Sequence, residues 1–150
     1  MKAVAVDLDA VLGDTRPLWE AWLEDAGRRA RVDLELPADR GAAGATLDAR
    51  LGNWRALLER FAEEHAPVHL RPSPGATAAL RRLQASGVSL GAFTDAPEPL
   101  ARVALSHLGA ARRLDMVETG TGALERLLAR LGPDALVVRS PAELEAAANS

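Results

Sequence analysis

The sequence contains no cysteine and one lysine, Lys2, so nearly all of its positive charge comes from arginine. Without cysteine, the chain can form neither disulfides nor metal sites with thiolate ligands. The formal net charge of −3 does not suggest the basic stripe that binding to nucleic acid favours. No apolar run approaches the roughly 20 residues that a membrane-spanning helix needs. The composition therefore predicts neither nucleic acid nor a membrane as a partner.

The overall composition is that of a soluble globular domain. The chain has 150 residues, of which 48% are hydrophobic and 26% are charged. Only Lys2 precedes the first apolar segment, which is not the pattern of a signal peptide. We therefore expect a cytoplasmic protein. Alanine and arginine are both abundant, which indicates a compositional bias, so a single arginine is weak evidence for a site.

The segment from Ala3 to Leu8 is an apolar run that is interrupted only by Asp7. Such a run is typical of a parallel strand that is covered on both faces. Asp7 and Asp9 stand at the carboxyl end of this strand, which is the edge where open α/β sheets bind ligands. Residues two apart on an extended strand point the same way, so we expect both carboxylates to face one site.

A pair of carboxylates at this position has two interpretations. One carboxylate can attack an electrophile while the other transfers a proton, and together they can hold Mg²⁺. The alternative is a capped strand end, in which the aspartates accept hydrogen bonds from loop amides. The residues alone leave both interpretations open.

The segment Asp7-Leu8-Asp9-Ala10-Val11 resembles the first motif of the haloacid dehalogenase-like (HAD) superfamily, Asp-x-Asp-x-[Thr/Val] after an apolar strand. The resemblance implies that Asp7 is a nucleophile that forms an aspartyl-phosphate, and that Asp9 is the general acid and base. It also implies that the Asp7 carboxylate and the Asp9 carbonyl bind Mg²⁺. Dehalogenating members usually lack the second acid, so Asp9 indicates the phosphatase branch.

Residues 16–70 are predicted to form an insert of two helices. One helix follows a cap at Thr15, and the second runs from about Thr46 to Glu64 and is closed by Pro67, with a loop over 31–45 between them. The position of this insert resembles the helical cap of many HAD members. The resemblance therefore divides the chain into a core of residues 1–15 and 71–150 and a cap of residues 16–70.

All three tryptophans lie in this insert, at Trp19, Trp22 and Trp54. Because large aromatic side chains dominate core burial, we interpret them as a small core between the helices. The alternative is that one of them lines the substrate pocket.

A second strand over Val88–Phe93 ends in Thr94 and Asp95, and this passage resembles the second HAD motif. The resemblance implies that the Thr94 hydroxyl binds a phosphoryl oxygen. Asp95 stands where many relatives have asparagine, and its charge is unfavourable near a phosphate. Taken alone, Thr94 is an ordinary helix cap before Pro97.

The later motifs depart from the family pattern. HAD phosphatases usually carry a lysine after the third strand, where this chain has 120–122, Gly-Thr-Gly. Arg126 is the nearest cation, but arginine is not a simple replacement for lysine. Arg139 falls on the position of a metal-binding aspartate and Glu143 on that of a second acid. Arg139 would either repel Mg²⁺ and pair with Asp7, or point away and leave Glu143 with a weakened metal site.

Strands that alternate with helices predict an α/β fold, a three-layer Rossmann-like parallel sheet with a HAD-like core and a small helical cap. Relatives usually continue beyond the last predicted helix. Without that continuation the fourth strand is a sheet edge, which a homodimer or another partner is expected to cover.

The predicted function is that of a weakly active, Mg²⁺-dependent phosphomonoester phosphatase that acts on a small phosphorylated metabolite. The alternative is a catalytically inactive HAD-fold binding or interaction protein, because the lysine and the metal-binding aspartate are both missing. The candidate residues form three sets: catalytic Asp7, Asp9 and Thr94; substrate-binding Thr94, Asp95 and Arg139; and metal-binding Asp7, Asp9 and Glu143.

Overall fold

A computed structural model describes the whole chain, residues 1–150, and contains one sheet of four strands. The strands are β1 (Ala3–Asp7), β2 (Ser89–Thr94), β3 (Met116–Thr119) and β4 (Leu136–Val138). All neighbouring strands are parallel, in the order β3-β2-β1-β4. The predicted parallel α/β sheet is confirmed.

Seven α-helices accompany the sheet: α1 (Arg16–Ala30), α2 (Arg40–Arg50), α3 (Trp54–His69), α4 (Pro74–Ala85), α5 (Glu98–His107), α6 (Ala123–Leu131) and α7 (Pro141–Ala148). Val4 and Val6 of β1 point into the larger core, which α4 and α7 share. Ala5 lies between them and points to the opposite face, where it packs in a smaller cluster with Leu127 of α6. Helices on both faces of the sheet make three layers.

Helix α6 approaches the sheet closely at Gly91. A Cβ atom at this position would overlap the side chain of Leu127, which is fully buried. The glycine in the middle of β2 therefore allows the helix to pack at this distance.

The insert contains three helices rather than the two predicted. The predicted helix over Thr46–Glu64 is broken into α2 and α3, with Asn53 in the left-handed conformation at the break (φ 63°). Pro67 does not close α3, which continues to His69, because a proline in the last turn removes only one hydrogen bond of the helix. The predicted loop over 31–45 contains the first turns of α2.

The three tryptophans pack together inside the insert. Trp22 has its ring centroid 5.5 Å from that of Trp19 and 6.1 Å from that of Trp54. All three side chains are buried in the larger core. This confirms their interpretation as core residues.

Strand β4 lies at one edge of the sheet, as the sequence predicts, and Leu136 is 43% exposed there. A homodimer through this edge stays a prediction. None of the helices has both the length and the apolar character that a membrane crossing requires.

Candidate active site

The carboxyl edge of the sheet opens into a pocket of about 480 Å³. Asp7 is the last residue of β1 and Thr94 is the last residue of β2, and the two strands are paired neighbours. The charged and polar side chains that line the pocket include Asp7, Asp9, Arg16, Arg40, Thr94 and Asp95. The three residues predicted as catalytic are therefore brought together.

Asp9 reaches the pocket by a route that the sequence did not predict. Strand β1 ends at Asp7, and the chain then makes a wide helical turn over Leu8–Leu12. The turn is closed by the Gly13 amide, which donates to the carbonyl of Leu8 at 3.0 Å. Asp9 therefore faces the pocket from this turn, and not through the alternation of side chains along a strand.

The Asp9 carboxylate accepts four hydrogen bonds from three residues. Thr15 donates to Oδ1 from its amide at 2.9 Å and from its hydroxyl at 2.5 Å. Oδ2 accepts from the Thr94 hydroxyl at 2.6 Å and from the Arg40 guanidinium at 3.0 Å. An ionised carboxylate offers about four lone-pair positions. In this arrangement the Asp9 carboxylate is held as an acceptor on both oxygens.

Arg40 is the cation at the centre of the site, and its side chain is only 3% exposed. It donates to Asp95 Oδ1 from Nε at 3.0 Å and from Nη2 at 2.8 Å, and its amide donates to Asp95 Oδ2 at 3.0 Å. Nη1 donates to the Thr15 hydroxyl at 2.7 Å. A buried charge is costly unless it is paired and hydrogen-bonded. Arg40 is paired with two carboxylates, those of Asp9 and Asp95.

The two residues on either side of this cation, Asp39 and Gly41, join the insert to the core. Asp39 is the N-cap of α2, and its carboxylate accepts from the Ala42 amide and from the Thr121 hydroxyl. A Cβ atom at Gly41 would overlap the backbone of Thr121. The loop that stands where the family has its lysine is thus the surface on which the insert docks.

The docking contact is expected to be sensitive to acid. The hydrogen bond from Thr121, followed by that from the Ala42 amide, lowers the pKa of Asp39 below its ordinary value. Because the pKa of Asp39 is lower in the folded protein than in the unfolded chain, ionised Asp39 stabilises the fold at pH values above its unfolded pKa. This stabilisation is lost as the pH falls through the folded pKa. We expect Thr121→Val to lower the Tm by up to about 3 °C at pH 7.

The Tm difference between Thr121→Val and the wild type should shrink as the pH falls through the lowered pKa of Asp39, because the protonated carboxyl no longer gains from the hydrogen bond. Thermal unfolding at several pH values measures it. Thr46→Val is the control, because the hydroxyl of Thr46 forms no hydrogen bond within the chain. A difference that persists unchanged in acid would contradict this account.

Arg139 lies beside the Asp7 carboxylate, with Nη1 3.5 Å from Oδ2, and its guanidinium stacks over the Phe93 ring. The pair is an ion contact that is longer than an ordinary hydrogen bond. The predicted pairing of Arg139 with Asp7 is therefore present, and Arg139 does not line the pocket itself.

The residues present do not fit a magnesium ion. The structure contains no group of three or more His, Cys, Asp or Glu side chains that could hold a metal. Glu143 is exposed, bonds with Ser140 at the start of α7 and does not line the pocket. Mg²⁺ is usually held by one or two carboxylates and several waters, but here the guanidinium of Arg139 beside Asp7 opposes a second cation at that carboxylate.

Two residues of the site were missed from the sequence. Thr15 was assigned only a capping role, although its hydroxyl is buried and bonds Asp9 instead of capping α1. Arg40 was placed in a loop because Gly41 and Gly44 were interpreted as turn residues. The signal that could have placed it is Asp39, a good N-cap residue just before it. Asp95 lines the pocket as predicted, but it binds Arg40.

The fold and the site together define the class of this protein. A parallel sheet in this strand order carries two aspartates after its first strand and a threonine at the end of its second, with a helical insert between them. The chain has a HAD-like α/β fold.

Comparisons with solved structures agree with this assignment of the fold. The phosphate-bound CbbY from Rhodobacter sphaeroides matches at 15% identity with a TM-score of 0.67, over 92% of this chain and 76% of that one. A subfamily IA HAD hydrolase from Geobacter sulfurreducens matches at 20% identity with a TM-score of 0.58, over 99% of this chain and 86% of that one. A candidate beta-phosphoglucomutase from Thermotoga maritima matches at 23% identity with a TM-score of 0.58, over 99% of this chain and 82% of that one. No protein-family model and no curated protein matches the sequence.

Proposed function

We propose that this chain is a phosphomonoester hydrolase that acts on a small phosphorylated metabolite through an aspartyl-phosphate at Asp7. The observation that supports the proposal is the convergence of Asp7, Asp9 and Thr94 on one pocket at the carboxyl edge of the sheet. Open α/β sheets bind their ligands at this edge. The volume of the pocket, about 480 Å³, is in the usual range for the binding of a small molecule.

The reaction would proceed in two displacements. The Asp7 carboxylate attacks phosphorus, the bond to the leaving oxygen breaks, and Asp9 gives its proton to that oxygen. Asp9 then accepts a proton from a water molecule, whose oxygen attacks the aspartyl-phosphate and releases inorganic phosphate. Thr94 stands at the tip of β2, where its hydroxyl can donate to a phosphoryl oxygen.

The positive charge of the site would come from arginine. Because the donor set does not fit Mg²⁺, the cations that contact the proposed catalytic carboxylates are Arg40, which is paired with Asp9, and Arg139, which lies beside Asp7. We expect the rate to be low and to change less than about twofold when EDTA replaces Mg²⁺, since the guanidinium of Arg139 beside Asp7 opposes binding of the ion there. A strict requirement for Mg²⁺ would contradict this part of the proposal.

The role of Asp9 gives the sharpest test. Proton transfer by a positioned side chain contributes about 10²–10⁴-fold in rate. We therefore expect Asp9→Asn to slow hydrolysis of an alkyl phosphate by about that factor. An activated aryl phosphate, whose leaving group needs no proton, should lose far less.

Initial rates of phosphate release from the two esters measure this difference. Asp33→Asn, an exposed aspartate outside the pocket, is the matched control and should hydrolyse both esters like the wild type. Equal loss on both esters would exclude Asp9 as the general acid. Absence of hydrolysis of either ester by the wild type would refute the phosphatase proposal.

A second function is favoured by one specific observation. Asp7, the proposed nucleophile, has a guanidinium 3.5 Å from its Oδ2 atom. An ion pair at this position lowers the availability of the carboxylate and would suit a catalytically inactive protein that binds a ligand or a partner through the same pocket. The hydrolysis assay distinguishes the two functions.

A further inference from the structure

We propose that Arg40 is the residue that binds the phosphoryl group of the substrate. On binding, a phosphoryl oxygen replaces Asp9 Oδ2 as the acceptor of two hydrogen bonds. The donors of these bonds are Nη2 of Arg40, at 3.0 Å, and the hydroxyl of Thr94, at 2.6 Å. The binding of substrate would thereby release Asp9 from the contacts that hold it as an acceptor. This role of Arg40 rests on the proposed phosphatase chemistry.

The guanidinium is fixed in place by contacts that do not involve Asp9. Asp95 accepts two bonds from the side chain and one from the amide of Arg40, and the Thr15 hydroxyl accepts another. When the bond to Asp9 is given up, Nη2 remains directed into the pocket. Arginine held in this way presents a pre-organised donor to an oxyanion, which forms short, charge-assisted hydrogen bonds with it.

The exchange explains how Asp9 can serve as an acid. With both oxygens occupied by donors, the carboxylate has no free position at which to carry a proton. Once a phosphoryl oxygen accepts from Arg40 and Thr94, Oδ2 of Asp9 is free of both donors. The leaving oxygen of the ester can then approach Oδ2, as the proton transfer proposed for Asp9 requires.

The other arginines near the pocket are not placed for this role. Arg16 lines the pocket, but its side chain is 63% exposed and bonds Asp14 through Nε and Nη2. Arg126 is bound to Glu118 and to the carbonyl groups of Thr119 and Thr121. Arg40 alone combines burial with contact to Asp9 and Thr94.

Binding of inorganic phosphate, measured by calorimetry, tests the role of Arg40 without any turnover. Arg40→Met removes the charged donors, and hydrogen bonds to charged groups contribute about 1.5–3 kcal/mol, so we expect the Kd to rise by about 10- to 100-fold. Arg112→Gln removes one positive charge from an exposed arginine outside the pocket and should change the Kd by less than about threefold, because exposed charges are well screened. Unchanged phosphate binding in Arg40→Met would overturn the proposal.

Arg40→Lys keeps the proposal testable if Arg40→Met does not fold. The lysine retains a charge among the carboxylates but lacks the planar fork, so phosphate should bind about 3- to 10-fold more weakly than to the wild type. If Arg40→Lys binds phosphate with the affinity of the wild type, Arg40 does not have the proposed role in binding. The proposal is also overturned if the wild-type protein binds no phosphate.

The assay also separates this role from the phosphatase proposal. Phosphate binding that depends on Arg40 in a protein without hydrolysis would refute the catalytic function and support the binding role. Hydrolysis by the wild type with phosphate binding that is indifferent to Arg40 would refute the binding role alone.

Discussion

Asp7→Asn is expected to reduce the hydrolysis of an aryl phosphate to background. The amide of asparagine cannot attack phosphorus, so the aspartyl-phosphate cannot form. In a well-studied serine protease, removal of the nucleophile costs about 10⁶-fold, and here we expect a loss of at least about 10³-fold. The substitution changes no side-chain volume, so an effect of this size would reflect chemistry. Initial rates with p-nitrophenyl phosphate measure it.

Asp134→Asn provides the matched control for Asp7→Asn. It makes the same change at an exposed aspartate outside the pocket, and should hydrolyse the ester at the wild-type rate. The Tm of both variants shows whether they fold. If folded Asp7→Asn keeps its activity, Asp7 is not the nucleophile and the aspartyl-phosphate mechanism is refuted.

Trp22→Ala is expected to destabilise the fold more than any other substitution proposed here. The Trp22 side chain is 1% exposed and packs between the rings of Trp19 and Trp54. Removing a buried aromatic side chain loses its transfer free energy and leaves a cavity, which together cost about 3–5 kcal/mol. We expect the free energy of unfolding, measured with urea, to fall by this amount.

Val68→Ala is the control for the tryptophan substitution. Val68 is 72% exposed, and surface substitutions of this kind usually change stability by less than about 0.5 kcal/mol. A loss below about 1 kcal/mol in Trp22→Ala would contradict a packed tryptophan core in the insert. A reduced urea dependence in this variant would indicate that the insert unfolds separately.

The site contains both residues that a local pattern identifies and residues that it does not. Asp7 and Thr94 end two apolar strands, and parallel strands in one sheet bring their carboxyl ends to the same edge. The periodicity therefore predicts that both residues end strands at this edge, while the role of Thr94 in the site was implied by the resemblance to the second HAD motif. Asp9 was assigned correctly to the pocket, but on the assumption of an extended strand, whereas the chain there turns over Leu8–Leu12.

Arg40 could not be assigned by the same reasoning. It contacts Asp9, 31 residues earlier, and Asp95, 55 residues later, and no spacing along the chain relates them. Glycine at Gly41 and Gly44 has the appearance of a loop in the sequence. In the structure both glycines lie in α2, and Gly41 allows close contact with the backbone of Thr121, which a Cβ atom would overlap.

The amino-acid sequence is sufficient to predict the parallel α/β sheet, the tryptophan core, and the two strand ends that carry Asp7 and Thr94. These features depend on burial patterns that repeat over a few residues. Only the tertiary structure decided which cation enters the pocket and which groups hold Asp9. A buried arginine is stable only where folding brings carboxylates from distant segments around it, so its place is a property of the assembled fold.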